Sequence, residues 1–234
     1  MQYRSQVALI TIGQTPRPDL ESELSRLWNN KFEIMQEGAL DDLDDAEIKL
    51  LEPVPGESDL ITRLADGRSV YLSHHRLTPY VQAAIDRACK QGADIIIIAC
   101  TGGFDELKAD VPIIQPCNVL EHAVASVLEQ GKSVAVIVPT QGQVQEASDR
   151  WSARGYLVKV VHVTSPFEDR QKLINQLKED EKVIATDSII YDCFGFGSDY
   201  ITNLSGCYHG PTFVARVLVA KLLVGIFPED ELKK

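Results

Sequence analysis

Asp94-Ile95-Ile96-Ile97-Ile98-Ala99-Cys100-Thr101-Gly102-Gly103-Phe104 is the stretch from which the rest of the chain can be read. Four consecutive isoleucines leave no polar side, so a strand made of them needs cover on both faces, as a central strand of a parallel sheet has. The run ends in a cysteine, a hydroxyl and two glycines, which puts a reactive side chain where the chain turns. The same order recurs in Asp187-Ser188-Ile189-Ile190-Tyr191-Asp192-Cys193-Phe194-Gly195-Phe196-Gly197. Cys100 and Cys193 stand close to half the chain apart. They are expected to be corresponding residues of two halves, facing each other across a shared hollow.

Working outward, Val7–Ile12 is a β-rich run that feeds Gly13-Gln14-Thr15-Pro16-Arg17-Pro18-Asp19. Thr15 before Pro16 reads as an N-cap with proline at the first helical position, and the helix is expected to reach about Asn30. A glycine turn at a helix N-terminus suits an anion, and Arg17 beside it is a natural carboxylate partner. Asp41 to Glu47 lacks the glycine and terminal glutamate of a calcium loop. Asp44 or Asp45 capping a short helix through Leu51 accounts for it, and no metal site is assigned. Leu60 to Leu64 reads as helical, Ser69–Ser73 as a strand ending at His74, His75 and Arg76. Those histidines at a strand end are able to enter a cleft, although loop histidines more often make surface hydrogen bonds. Thr78 to Gln91 is an amphipathic helix on Val81, Ala84, Ile85 and Ala88. After a short strand at Val111–Ile114, Asn118 and Glu121 have capping-box spacing, which sets Cys117 at a helix N-terminus.

The second half restarts the pattern. Ser133–Val138 is a strand, and Pro139-Thr140-Gln141-Gly142-Gln143 echoes the first Gly-Gln-Thr loop before a helix to Arg154. Val158–Val163, Glu168–Glu179 and the Cys193 strand continue it, and an apolar helix from Pro211 to about Phe227 closes it. Alternating strands and helices imply an α/β fold of two pseudo-symmetric flavodoxin-like lobes, each a parallel sheet flanked by helices, with a cleft between them.

Composition narrows the partners. With 44% hydrophobic and 24% charged residues the 234-residue chain is globular. A formal charge of −11 argues against nucleic acid, whose phosphates call for a basic surface. It leaves room for a small anionic ligand, because a local pocket can oppose the overall field. Residues 1–12 lack the order of a signal peptide. No stretch has the roughly 20 apolar residues of a membrane span, the nearest, 213–226, being broken by Arg216 and Lys221. A cytoplasmic protein with no membrane partner is expected. Five cysteines without CxxC spacing read as free thiols.

Thr11-Ile12-Gly13-Gln14-Thr15-Pro16-Arg17, Gly38-Ala39-Leu40-Asp41, Pro55-Gly56-Glu57, Leu60 to Leu64, Cys100-Thr101-Gly102 and Asp192-Cys193 together resemble the AroM family over nearly the whole chain. That family is grouped with the aspartate/glutamate/hydantoin racemase superfamily. The resemblance implies a two-lobe α/β enzyme with one cysteine from each lobe, no pyridoxal or other cofactor, and frequent homodimers. It implies a C-terminal helix that returns to the first lobe. Lobe one is then 1–116 with the segment 211–234 packed back on it, and lobe two is 117–210. Amino-acid racemases of the superfamily carry Cys-Asn-Thr and Gly-Cys-Thr-His where this chain has Cys100-Thr101-Gly102 and Asp192-Cys193-Phe194-Gly195. Those differences point away from glutamate and aspartate as substrates.

The chemistry expected is proton transfer at a carbon next to a carboxylate or amide of a small metabolite, one thiol removing a proton and the other returning one on the opposite face. The weak acidity of such a carbon requires donors on the carboxylate. Gly13, Gln14, Thr15, Thr101, Gly102, Gly103, Pro139, Thr140 and Gln141 are the candidates, with Arg17 as counter-charge. Phe194 and Gly195 flank the second cysteine, and Phe104 and Phe194 suggest a hydrophobic wall. Helix N-termini after each cysteine are expected to acidify the thiols. Asp192 falls on the opposite face from Cys193 and is not assigned as a base. A decarboxylase or lyase using one cysteine, or a ligand-binding regulator without chemistry, fits the same cleft.

Overall fold

The computed structural model describes residues 5–104, 106–202, 204 and 206–227. The first half runs β1 (Gln6–Thr11), α1 (Pro18–Leu27), β2 (Glu33–Gly38), α2 (Asp45–Lys49), β3 (Asp59–Arg63), β4 (Ser69–Ser73), α3 (His74–Lys90), β5 (Ile95–Ile98) and β6 (Ile113–Ile114). The second runs α4 (Pro116–Val127), β7 (Ser133–Val138), α5 (Val144–Ala153), β8 (Leu157–Val163), α6 (Arg170–Glu179), α7 (Glu181–Ile184), β9 (Ser188–Tyr191), α8 (Asp199–Thr202), β10 (Thr212–Val214) and α9 (Ala215–Ile226). Two four-stranded parallel sheets result, ordered β2-β1-β5-β6 and β10-β9-β7-β8. Matching β1 to β7, β2 to β8, β5 to β9 and β6 to β10 superposes one order on the other. The strands that lead to Cys100 and Cys193 are therefore equivalent.

The apolar runs do what their lack of a polar side requires. In sheet one, Ala8, Ile10, Ile96 and Ile98 face α3 through Leu77, Val81, Ala84 and Ile85. Their neighbours Val7, Leu9, Ile95 and Ile97 face α1 and α9 through Leu20, Leu24, Val219 and Leu223. In sheet two, Ala135, Ile137, Ile189 and Tyr191 pack on α6, and Val134, Val136 and Ile190 pack on α4 and α5 through Leu120, Val124 and Trp151. Period-two alternation sends successive side chains to opposite layers, so each sheet is covered twice. Among the described residues no helix is long and apolar enough to cross a membrane.

Local expectations are corrected in five places. Leu60–Leu64 is strand, not helix: β3 pairs antiparallel with β4 from Asp59↔Ser73 to Arg63↔Ser69. A short apolar run carries no period that separates the two conformations, and its partner strand decided. The first helix starts at Pro18, with Arg17 at the N-cap and a cis Thr15–Pro16 bond before it. α3 begins four residues early, capped by Ser73, so His74 and His75 lie in its first turn. α4 starts at Pro116 rather than after Asn118, because proline suits a first helical position. Thr212–Val214 is an edge strand of sheet two before α9 begins. The Asp44–Glu47 capping box forms as a cap of α2.

Candidate active site

Each cysteine follows its strand by two residues and sits in the same local frame. Gly102 N–H donates to Cys100 Sγ at 3.3 Å, and Gly195 N–H donates to Cys193 Sγ at 3.3 Å. Each of these glycines lets a cover residue come close. A Cβ on Gly102 would stand 2.8 Å from Leu60 Cδ2, and one on Gly195 would run into the Pro166 ring. The two loops touch directly, since Thr101 Oγ1 donates to the Asp192 carbonyl at 3.0 Å. The thiols are in electrostatic range of one another, a charge on Cys193 opposing one on Cys100.

Burial pushes the Cys100 thiol up to about 12, the Gly102 N–H opposing it and Cys193, Cys117 and Asp192 adding to the rise. Cys193 is pushed up to about 11, again mainly by burial and with Asp192 adding to it, while the Gly195 N–H, Arg216 and Arg17 pull it back. The expected acidification by helix N-termini is absent. The described residues between Cys100 and β6 are irregular, and α8 after Cys193 is a single turn, so among the described residues each sulfur receives one backbone N–H. Cys117 is likewise raised by burial.

The β3–β4 hairpin lies over the cleft and binds both lobes. Asp59 takes Thr140 Oγ1 at 2.8 Å on Oδ1 and Gln143 Nε2 at 2.8 Å on its carbonyl, and Ser58 Oγ reaches Glu146 at 2.9 Å. At its other end Arg63 O accepts from Gln14 N–H, and Gly13 packs so closely on Thr62 and Arg63 that a side chain there has no room. Gln14 Nε2 and Oε1 bind Leu40 O and Ala65 N–H, and Thr15 gives both N–H and Oγ1 to Asp41. The donors expected from Gly13, Gln14 and Thr15 are thus spent on the protein: Gly13 N–H itself goes to Thr11 Oγ1. Their motif braces the hairpin.

Arg17 is 6% exposed and forked onto Asp19 at 2.9 and 2.7 Å, so its charge is already matched. Thr140 holds the hairpin, Pro139 is buried and Gln141 is exposed. Phe194 is no cleft wall, because its ring lies in the cluster between sheet one, α1 and α9. Asp192 is buried against Arg150 and Trp151 Nε1.

Arg216 and Arg63 were given no role by the sequence, and His74 was offered only as a histidine able to enter a cleft. Arg216 donates to Phe194 O at 2.9 Å and Gly195 O at 2.6 Å while pairing with Glu23 at 2.6 Å. It fixes the loop that carries Cys193, and a lone arginine in an apolar helix was its signal. His74 Nε2 lies 2.5 Å from Gly103 O and its ring stacks on Phe104 at 4.6 Å. Gly103 has φ +69, a left-handed turn that aims this carbonyl at the histidine. Arg63 stacks its guanidinium 4.6 Å over the Phe167 ring. No group of three His, Cys, Asp or Glu among the described residues is arranged to hold a metal ion.

A family model described as AroM protein matches residues 7–227. The chain belongs to the AroM family. No curated protein sequence matches this AroM chain. In three dimensions it is similar to the maleate isomerase Iso from Pseudomonas putida S16, at 13% identity over 95% of this chain and 92% of that one, with a TM-score of 0.63. It is similar to glutamate racemase from Campylobacter jejuni subsp. jejuni, at 16% identity over 98% and 88%, TM-score 0.60. A double mutant of arylmalonate decarboxylase in its liganded form gives 12% identity over 96% of each chain and a TM-score of 0.64. At these identities the likeness speaks for the two-lobe AroM fold.

Proposed function

We propose that the protein is a cofactor-independent isomerase or racemase acting at a carbon next to a carboxylate of a small metabolite. The carrying observation is the matched pair. Two thiols end equivalent strands of two like sheets, each with the same glycine N–H on its sulfur, on loops joined by Thr101 and Asp192. The names of the structurally similar proteins, an isomerase, a racemase and a decarboxylase, are those of enzymes whose substrates carry carboxylates.

The roles follow from charge. Asp192 opposes both thiolates, but Cys193 has Arg216 and Arg17 offsetting it, whereas Cys100 has Cys193 and Cys117 adding to the opposition. Cys193 is therefore the base that takes the proton from carbon, and Cys100, as thiol, gives its proton to the opposite face. The reaction ends with Cys193 protonated and Cys100 ionised, ready for the reverse direction. Charge developing on the substrate carboxylate needs fixed donors. The N–H groups of Thr101 and Gly103 bond no acceptor among the described residues and lie in the loop beside Cys100.

The test is hydrogen exchange in deuterated water. Candidate carboxylates are incubated with the protein and with C100S and C193S, and loss of the α-proton is followed by nuclear magnetic resonance. Exchange in the wild type that drops about 100-fold or more in each variant is expected for a general base and its partner acid. Exchange indifferent to both substitutions would sink the assignment. Dependence on Cys193 alone would favour a one-base decarboxylase or lyase, the reading that the unequal charge around the two thiols supports second.

A further inference from the structure

Arg63 lines an inter-lobe cavity without an acidic partner among the described residues. The cavity, of about 540 Å³, opens between α1, the loop after β8 and the Cys193 loop, where Gly195 lines it. Its other arginines each have an acidic partner. Arg216 and Arg26 pair with Glu23, and Arg170 pairs with Asp199. Asp19, the remaining acid, is taken by Arg17. Arg63 has no carboxylate partner among the described residues. Its Nε is buried without a hydrogen bond, and its guanidinium is held flat on Phe167. A chain with a formal charge of −11 thus keeps, beside its cysteine loop, an arginine with no acidic partner among the described residues. A guanidinium stacked on an aromatic ring keeps its in-plane N–H groups for an oxyanion, which it can take in two parallel hydrogen bonds. Water satisfies an exposed nitrogen, but the Arg63 Nε is buried and lacks that easy exchange.

We propose that this cavity is an anion-binding site in which Arg63 receives a carboxylate or phosphate group of a small organic ligand lying against Phe167. The ligand is named as the substrate only on the reaction proposed above; the anion site itself stands on the unpaired arginine. Because Arg63 rides on β3, the same contact seats the hairpin over the cysteines. The anionic group would then hold the cleft closed while the thiols work.

Binding is read by thermal shift and by titration calorimetry, with succinate, acetate and inorganic phosphate as probes, since a ligand that binds only the folded protein raises its midpoint. Succinate or phosphate is expected to bind the wild type and the C100S/C193S double variant alike. R63Q should weaken it about tenfold or more, the loss of a charge-assisted pair. R68Q, at an exposed side chain paired to Asp45 and Asp66 outside the cavity, should leave it unchanged. Binding of phosphate but not succinate would mark a phosphorylated ligand, and the reverse a carboxylate. If R63Q melts too low to titrate, R63K serves, with about threefold weaker binding expected because the fork is lost. Affinity equal to wild type in the folded Arg63 variant, or no binding of any probe at tens of millimolar, overturns the proposal. Binding that depends on Arg63 while no carboxylate exchanges its α-proton would leave the site standing and remove the reaction.

Discussion

A thiol shielded from water keeps its proton, because the thiolate loses more solvation than one backbone N–H restores. Cys193 at about 11 and Cys100 at about 12 follow that rule, and the arginines near Cys193 set the order. Below its pKa a thiolate fraction grows tenfold with each pH unit. Alkylation of Cys193 by iodoacetamide should therefore rise about tenfold per unit between about pH 8 and 10 and run ahead of Cys100. A plateau near pH 8.5, as for ordinary thiols, would contradict the burial. The same shift has a stability sign. Thiols ionise near 8.5 in the unfolded chain and higher in the folded one, so the stability they contribute is full below about pH 8.5 and is lost as pH rises through 11 to 12. Melting midpoints should fall above about pH 9 in the wild type, and less steeply in C100S/C193S. At this scale the two cysteines were legible, because their strands repeat one grammar. Arg63 and Arg216 were not, since nothing in a sequence tells a paired arginine from an unpaired one.

Elements explain why the family motifs carry so few ligand-facing groups. Gly13-Gln14-Thr15 and Gly38 to Asp41 bond one another and the end of β3, so they fix the hairpin that covers Cys100. The sequence suggested an anion loop there because a glycine turn before a helix looks alike in either use. What it lacked was β3, misread as helix for want of its antiparallel partner. On the other side of the cleft, α9 holds the Cys193 loop through Arg216 and through the packing of Phe194 against Val219 and Leu223. Replacing Arg216 by methionine leaves Glu23 to the Ser198 N–H and the exposed Arg26, whereas Ser198 and Arg216 together keep it below the usual carboxylate range against the pull of burial. It also strands the Phe194 and Gly195 carbonyls. R216M should cost about 3–5 kcal/mol in denaturant unfolding, as a broken buried pair does. Below about 1 kcal/mol, Arg216 would be a surface charge in disguise.

Across the whole molecule, α9 is shared. Ala215 packs in the sheet-two cluster, whereas Val219, Ala220 and Leu223 pack against sheet one, and Trp28 Nε1 donates to Ala220 O at 3.2 Å. A helix that belongs to both layers ties their unfolding together. Calorimetry should give one transition, and Leu223→Ala should lower it as a unit by about 2–5 kcal/mol, the range for a buried leucine. Two separated transitions, with only one of them moved, would mean lobes that fold independently. The α/β class, the two sheets and the equivalence of Cys100 and Cys193 were determined by the sequence alone. Hydrophobic period, strand-end cysteines and glycine turns act over a few residues and leave a local record. The hairpin over the cleft, the spending of Gln14 and Thr15 on the protein, and the want of an acidic partner for Arg63 among the described residues were decided by tertiary structure. Each depends on which distant groups meet, and charge or hydrogen-bond balance belongs to the neighbourhood rather than to the residue.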